Sequence, residues 1–222
     1  MKVLFLSYIV DTDTPTYGNR NKFEQVKKSS ITDGDVANDT SIATTLHVGT
    51  HIDMPYHFYE NGQTIEDYSA DYWVFESVLF VAIQPECLVI KDELISRLDS
   101  MKENSYEILI VKTGICTMRG SDKFWQENYG FHPDVYDFLI KKFPNIRVFG
   151  FDSISVSSFA ERMIGREAHK RFLNPDKPIL LLEDMDLTSV DEQTSFKKII
   201  IAPLRISKSD GLPCTVFGFL ND

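Results

Sequence analysis

The chain has 222 residues, 43% of them hydrophobic, which is enough to bury a full core and is a common size for a single α/β domain. Its 23 Lys and Arg against 33 Asp and Glu leave a formal net charge of −10, which disfavours both nucleic acid and an anionic membrane surface as partners. Cys87, Cys116 and Cys214 are odd in number and in no CxxC spacing, so neither a disulfide framework nor a thiolate zinc site is expected. Cys116 and Cys214 read as small core residues.

The run KVLFLSYIV after Met1 is too short to span a membrane and lacks a small-residue cleavage site. It reads as a first buried strand, over 3–9, of a cytoplasmic protein. Similar short runs, rich in β-branched and aromatic residues and bounded by Gly, Pro, Asn and Asp, predict strands over 41–48, 77–83, 107–113, 146–152, 178–184, 197–204 and 215–220. Helical spacing appears between them. Residues 91–101 put Leu94, Ile95 and Leu98 on one face, and 132–143 do the same with Val135, Phe138, Leu139 and Phe143. Pro133 suits the first turn of that second helix, and His132 before it reads as a capping or surface residue. A third helix, over 159–172, carries Met163, Ile164 and His169, with Gly165 weakening it. Strands alternating with helices in the second half and a strand-rich first half predict a mixed α/β sheet, with the two termini pairing in it. With no linker, repeat or low-complexity tract, residues 1–222 read as one domain.

Three of the five histidines fall in the eleven residues HVGTHIDMPYH, 47–57. In a straight strand residues four apart are separated by about 13 Å, too far for two imidazoles on one ion. A long helix is opposed by Val48, Thr50, Ile52 and Pro55. Gly49 allows a sharp bend, after which Thr50 is expected to cap one short helical turn with Asp53 at the capping-box position. On that reading His47, His51 and Asp53 converge as ligands of a zinc, manganese or iron ion with an open coordination position. His57, beyond Pro55, is then a supporting group or a general acid/base.

The same run matches the pattern H-x-G-T-H-x-D-x-P-x-H, complete here at His47, Gly49, Thr50, His51, Asp53, Pro55 and His57. It resembles the signature of the cyclase-like metal-dependent hydrolases, the family that includes bacterial kynurenine formamidase and isatin hydrolase. The likeness continues through LSYIVDTDTPTYGN, IVKTGICTMRG, the helix–strand unit ending in GFDSISV, and the closing IIIAPLRISKSDGLPCTVFGFL.

That resemblance implies a mixed sheet with flanking helices, of the swivelling β/α cyclase type. It implies a first metal on His47, His51 and Asp53, and a second, in members that bind two, on Asp53, His169 and Glu183. It further implies zinc or manganese, one or two ions per chain, His57 as proton donor and acceptor, and a homo-oligomer, dimer or tetramer. The expected activity is hydrolysis of the amide bond of a small formamide or cyclic amide by a metal-activated water. On its own, His169 in REAHKRF reads as exposed, whereas Glu183 at the end of a strand sits where α/β folds place functional groups. Tyr17 is the expected substrate-binding aromatic. Many relatives carry Trp there, followed by Pro-Gly-Asp, where this chain has Gly18, Asn19 and Arg20, so the substrate is left open. A lyase or cyclase on the same ligands, and a non-catalytic metal-dependent binding protein, are the competing readings.

Overall fold

The computed structural model describes residues 2–221. β1 (Val3–Phe5) is followed by an exposed hairpin, β2 (Glu24–Ser29) and β3 (Asp39–Ala43), and by β4 (His51–Asp53). β5 (Val74–Phe75), β6 (Val78–Ala82) and β7 (Val89–Ile90) lead into α1 (Asp92–Asp99). The alternating half holds β8 (Ile108–Lys112), α2 (Lys123–Gln126), β9 (Gly130–Phe131), α3 (Pro133–Lys142), β10 (Val148–Phe151), α4 (Arg162–Phe172) and β11 (Leu180–Glu183). Two long strands follow, β12 (Phe196–Pro203) and β13 (Gly211–Leu220).

Nine strands form one mixed sheet in the order β5-β12-β13-β4-β11-β10-β8-β6, with β1 also paired to β13. β11, β10, β8 and β6 run parallel, while β4 is antiparallel to both β11 and β13. The three residues of β4 therefore join the parallel half to the antiparallel half. The sheet curls until Phe80 on β6 meets Phe196 on β12, ring centroids 5.7 Å apart, so it is nearly closed. This is the expected mixed α/β architecture, and the termini pair as expected through Val3 opposite Phe219.

Alternation along the strands divides the apolar side chains between two cores. Ile108, Ile110, Leu180, Leu182 and Ile52 fill the inside of the curl, together with Phe75 and Ile199. Leu109, Val111, Phe149 and Leu181 face outward onto α1, α3 and α4 through Leu94, Leu98, Val135, Leu139 and Phe172. Cys116 and Cys214 are buried and Cys87 is exposed. No helix among the described residues is long and apolar enough to cross a membrane.

The three predicted helices form within a few residues of their expected ends, and the His132 ring accepts the amide of Asp134 as the α3 cap. Gly165 does not weaken α4 as expected. A Cβ there would lie 2.1 Å from the Ser157 hydroxyl, so its absence lets the helix pack tightly on that segment. Two other expectations fail near the histidine run. The strand predicted over 41–48 stops at Ala43, and the capped turn after Thr50 is a strand, β4. Gly49 does make the bend, with φ of +59°. Beyond it, pairing on both edges with β11 and β13 outweighs the local capping signal, and Thr50 spends its hydroxyl on the Asp184 carbonyl at 2.5 Å.

Candidate metal centre and its pocket

The register of β4 builds the centre. His51 lies directly opposite Glu183, and Asp53, two residues on, shares its face. Ile52 between them points into the curl, so His51, Asp53 and Glu183 all project to the side where α4 packs. His169 reaches the cluster from α4. It is 6% exposed, not the solvated residue its charged surroundings suggested. His47 enters from the bend before Gly49, and His57 from the short turn Pro55–His57.

Each of three imidazoles has one ring nitrogen engaged by an acceptor and the other turned to the cluster. His51 donates Nδ1–H to the Gly49 carbonyl at 2.8 Å, and His169 donates Nδ1–H to the Gly165 carbonyl at 2.9 Å. His47 donates Nε2–H to Asp210 at 3.0 Å, leaving Nδ1 2.8 Å from Asp53 Oδ1. Fixing a tautomer through the outer nitrogen is how proteins prepare histidine for a metal. Glu183 is set in the same way: Oε1 accepts the Val156 amide at 2.7 Å, and Oε2 lies 3.4 Å from His51 Nε2.

Donor atoms of His47, Asp53 and His57 lie within 4.8 Å of one another, as do those of His51, Asp53 and Glu183. Asp53 belongs to both groups. His169 Nε2 is 3.6 Å from Asp53 Oδ2 and 3.8 Å from Glu183 Oε1. All six expected residues thus meet in one place, although the two groups divide them differently from the implied ligand sets. His51 Nε2 and Asp53 Oδ2 are buried with no hydrogen-bond partner. Buried polar atoms are rarely left so, and an imidazole nitrogen and a carboxylate oxygen facing one gap at 3.4 to 3.8 Å are a donor set that fits a divalent ion.

The protonation balance points the same way. Burial opposes a charge on His47, but the Asp53 carboxylate and hydrogen bonds to Asp210 and Asp53 outweigh it and raise the pKa to about 9. Burial likewise opposes the His51 and His169 cations and is overcome by Asp53 and Glu183, so both are raised. Burial would lift the Asp53 carboxyl, yet His47, His169 and His51 hold it well below the usual range. The carboxylates therefore demand positive charge, which protons provide unless a cation does.

Asp210 and Gly211, at the start of β13, were not singled out from the sequence; an Asp-Gly pair reads only as a turn signal. Asp210 Oδ2 also lies 3.5 Å from His57 Nδ1, and its hydrogen bonds to His47 and His57 hold its carboxyl well below the ordinary range. Gly211 lies opposite Asp53, and a Cβ there would meet the His47 ring at 2.5 to 2.9 Å. That ring is pinned by two carboxylates and has little room to give. Gly211→Ala is expected to weaken metal affinity by about 10–100-fold, the usual cost of disturbing a ligand's support. Titration with zinc or manganese checks it, and an unchanged affinity would mean the ring can move freely.

The centre forms the floor of a pocket of about 680 Å³. Tyr17, Phe58 and Ile154 line its walls, and Arg20, Arg162 and Arg166 lie toward the mouth. Tyr17 stands edge-on to Phe159 at 5.6 Å, with its hydroxyl 3.4 Å from the Ser158 carbonyl.

Comparison with known proteins agrees with this geometry. The family model described as putative cyclase matches residues 4–158. The chain is 24% identical over 208 residues to the kynurenine formamidase of Bacillus thuringiensis subsp. konkukian, covering 94% of this chain and 92% of that protein. Among solved structures, isatin hydrolase A from Labrenzia aggregata, bound to benzyl benzoate, superposes with a TM-score of 0.80 at 21% identity, covering 98% of this chain and 93% of the other. A structure described as a potential metal-dependent hydrolase with cyclase activity superposes at 0.77 and 21% identity, covering 100% and 98%. The chain belongs to the putative-cyclase family, the cyclase-like metal-dependent hydrolases that its histidine run resembles.

Proposed function

We propose that residues 1–222 act as one unit, a metal-dependent hydrolase that cleaves the amide bond of a small formamide or cyclic amide. The observation that carries this reading is the pair of partnerless buried atoms, His51 Nε2 and Asp53 Oδ2, within one cluster of donors that lines a pocket. The names of the relatives, kynurenine formamidase and isatin hydrolase, support amide chemistry. His47, His51 and Asp53 would hold one ion, and Asp53, His169 and Glu183 a second. Zinc is the first expectation and manganese the next, since imidazole and carboxylate suit both. A divalent ion there supplies a water acidified toward neutral pH and polarises the carbonyl under attack.

The remaining work falls to the chain. His57, its side chain 30% exposed and beside Asp210, carries the proton to the leaving nitrogen. Asp210 holds His47 and His57 in orientation from one carboxylate oxygen. Tyr17 and Phe58 flank the substrate, and burial of the floor keeps bulk water away from the reacting carbonyl. The working form is proposed to be a cytoplasmic homo-oligomer.

The test is turnover of N-formylanilides and cyclic amides by protein loaded with zinc or manganese, in water enriched in heavy oxygen. Hydrolysis places one solvent oxygen in the released formate or the ring-opened carboxylate. A lyase or cyclase incorporates none, and a binding protein turns over nothing.

The raised histidine pKa values set a pH dependence. His47 titrates near 9 in the metal-free protein, against about 6.5 for an ordinary histidine. A folded pKa above the unfolded one contributes stability that is complete below about 6.5 and is lost as pH rises through about 9. Metal needs the same nitrogen unprotonated, so its apparent affinity rises over that window. Thermal unfolding with and without zinc is expected to show a gap that widens from pH 6.5 to 9; a constant gap would count against His47 as a ligand.

A further inference from the structure

The pocket is graded in charge. Asp53 and Glu183 are buried at its floor, Asp210 is partly exposed beside them, and the exposed Arg20, Arg162 and Arg166 lie at its mouth. Three arginines around one opening are unexpected in a chain of net charge −10. Three of the five other arginines are matched: Arg119 holds Asp184, Arg147 holds Glu107, and Arg171 holds Asp137. Among the described residues, none of the three at the mouth is paired with a carboxylate of the chain.

Arg162 is held in place. The Arg162 guanidinium lies over the Phe159 ring, 3.9 Å from its centroid, and its Nε–H donates to the Phe159 carbonyl at 3.2 Å. Phe159 is itself braced edge-on by Tyr17 and by Trp125, at 5.6 and 5.2 Å. With Nε engaged, the terminal nitrogens of Arg162 lie beside the Tyr17 hydroxyl and have no carboxylate partner among the described residues, so the fork that matches a planar anion is presented from next to that ring. Arg166 follows one turn later on the same face of α4, and among the described residues it reaches only the weak acceptor Met163 Sδ, at 3.9 Å. His169 continues that face. Residues 162, 166 and 169 stand at i, i+4 and i+7, so the two guanidiniums originate roughly 10 and 5 Å along the helix axis from the histidine at the floor.

We propose that this site takes amides that carry a second, anionic group, a carboxylate or its phosphonate equivalent, about 5–10 Å from the scissile carbonyl, gripped by Arg162 and Arg166 while the carbonyl sits over the Asp53 cluster. This rests on the amide-hydrolase reading for the floor and adds the substrate class from the mouth. Arg20, on the opposite loop, strengthens the field that draws such an anion in. The arginines act in binding and orientation and move no proton.

Calorimetry on the metal-loaded protein tests it with 3-phenylpropanoate, 2-phenylethylphosphonate and uncharged 3-phenylpropan-1-ol. At least one anion is expected to bind about tenfold tighter than the alcohol or better. That preference should collapse in Arg162→Gln/Arg166→Gln, recover in part in Arg162→Lys/Arg166→Lys, and shrink with added salt, at unchanged metal content. Equal binding of all three probes overturns the proposal. So does a preference that survives in the double Gln variant, since the anion would then be bound by the ion at the floor. Turnover of 3-(2-formamidophenyl)propanoate and of N-(2-propylphenyl)formamide separates this idea from the one it rests on. A KM advantage for the charged substrate that vanishes in the Gln variant, with kcat little changed, supports both. Equal KM values for the two, with turnover, overturn the anion site and leave the hydrolase. An arginine-dependent binding preference without turnover of either, or of the cyclic amides, supports the anion site and removes the hydrolase.

Discussion

Asp53→Asn is expected to strip the protein of metal and to lower amide hydrolysis on the order of a thousandfold or more, several kcal/mol of barrier. Asparagine keeps the shape of the side chain and removes its charge. Asp53 is the residue common to both groups of converging donors, and its two oxygens face different partners: Oδ1 meets His47 and His51, and Oδ2 meets His169. No other side chain in the cluster has that position. The loss should also be felt by the imidazoles, because the Asp53 charge contributes to raising His47, His51 and His169 alike. Without it all three lose part of what offsets burial and their pKa values fall, with Asp210 left to support the His47 cation and Glu183 those of His51 and His169. Elemental analysis of purified wild type and variant, beside circular dichroism to confirm folding, decides the matter. A folded Asp53→Asn protein that keeps its full metal content would remove Asp53 from the centre of the site.

Arg119→Ala is expected to cost about 3–5 kcal/mol of stability, a drop of roughly 10 °C in Tm for a chain of this size. Arg119 lies behind the centre. It grips Asp184 with two hydrogen bonds of 2.9 and 2.7 Å and stacks its guanidinium 3.7 Å over the Tyr8 ring. Asp184 is 1% exposed, with a left-handed φ of +51°. Its carbonyl accepts the Thr50 hydroxyl, and its own amide donates to the Ser153 carbonyl at 2.9 Å. The pair thus clamps the residues next to Glu183 and His51. Burial pushes the Asp184 carboxyl up and Arg119 pulls it back, with burial winning. Removing Arg119 leaves an unpaired buried carboxylate whose pKa climbs further. Because that penalty belongs to the charged form, it is present above the raised pKa and relieved as pH falls through it. The deficit in chemical denaturation should therefore shrink toward acid pH, and Arg119→Met/Asp184→Asn should recover much of it. A variant as stable as wild type at neutral pH would mean that solvent reaches Asp184.

How much of this was legible beforehand depended on distance along the chain. The ligands in 47–57 could be found because four residues of one short run, His47, His51, Asp53 and His57, carry chemistry that has few other uses together. The strands at β8, β10 and β11 were visible as unbroken apolar runs. β4 was not: it is three residues long, and what makes it a strand are partners about 130 and 160 residues away. Local cues at Thr50 and Asp53 favoured a helical turn and were overruled by those partners. β2 is polar and exposed, so it has no apolar pattern to betray it, and its partner β3 was caught only over Ser41–Ala43, at the start of the strand predicted for 41–48. His169 was hidden by its charged neighbours, although Ala168 and Phe172 on the same helix already mark a buried side. Asp210 and Gly211 carry no signal of their own. Their role exists only once β13 lies beside β4.

The alternation within β4 has a consequence for how the chain acquires its structure. Ile52 faces the apolar interior while His51 and Asp53 face the opposite side. A slip of one residue against β11 or β13 would bury an imidazole and a carboxylate in hydrocarbon and put isoleucine among the donors. Strand alignment and ion capture are therefore the same choice, made by three residues at the junction of the two halves. An ion present during folding rewards only the correct alignment, so it acts as a proofreader of the sheet before it takes any part in turnover.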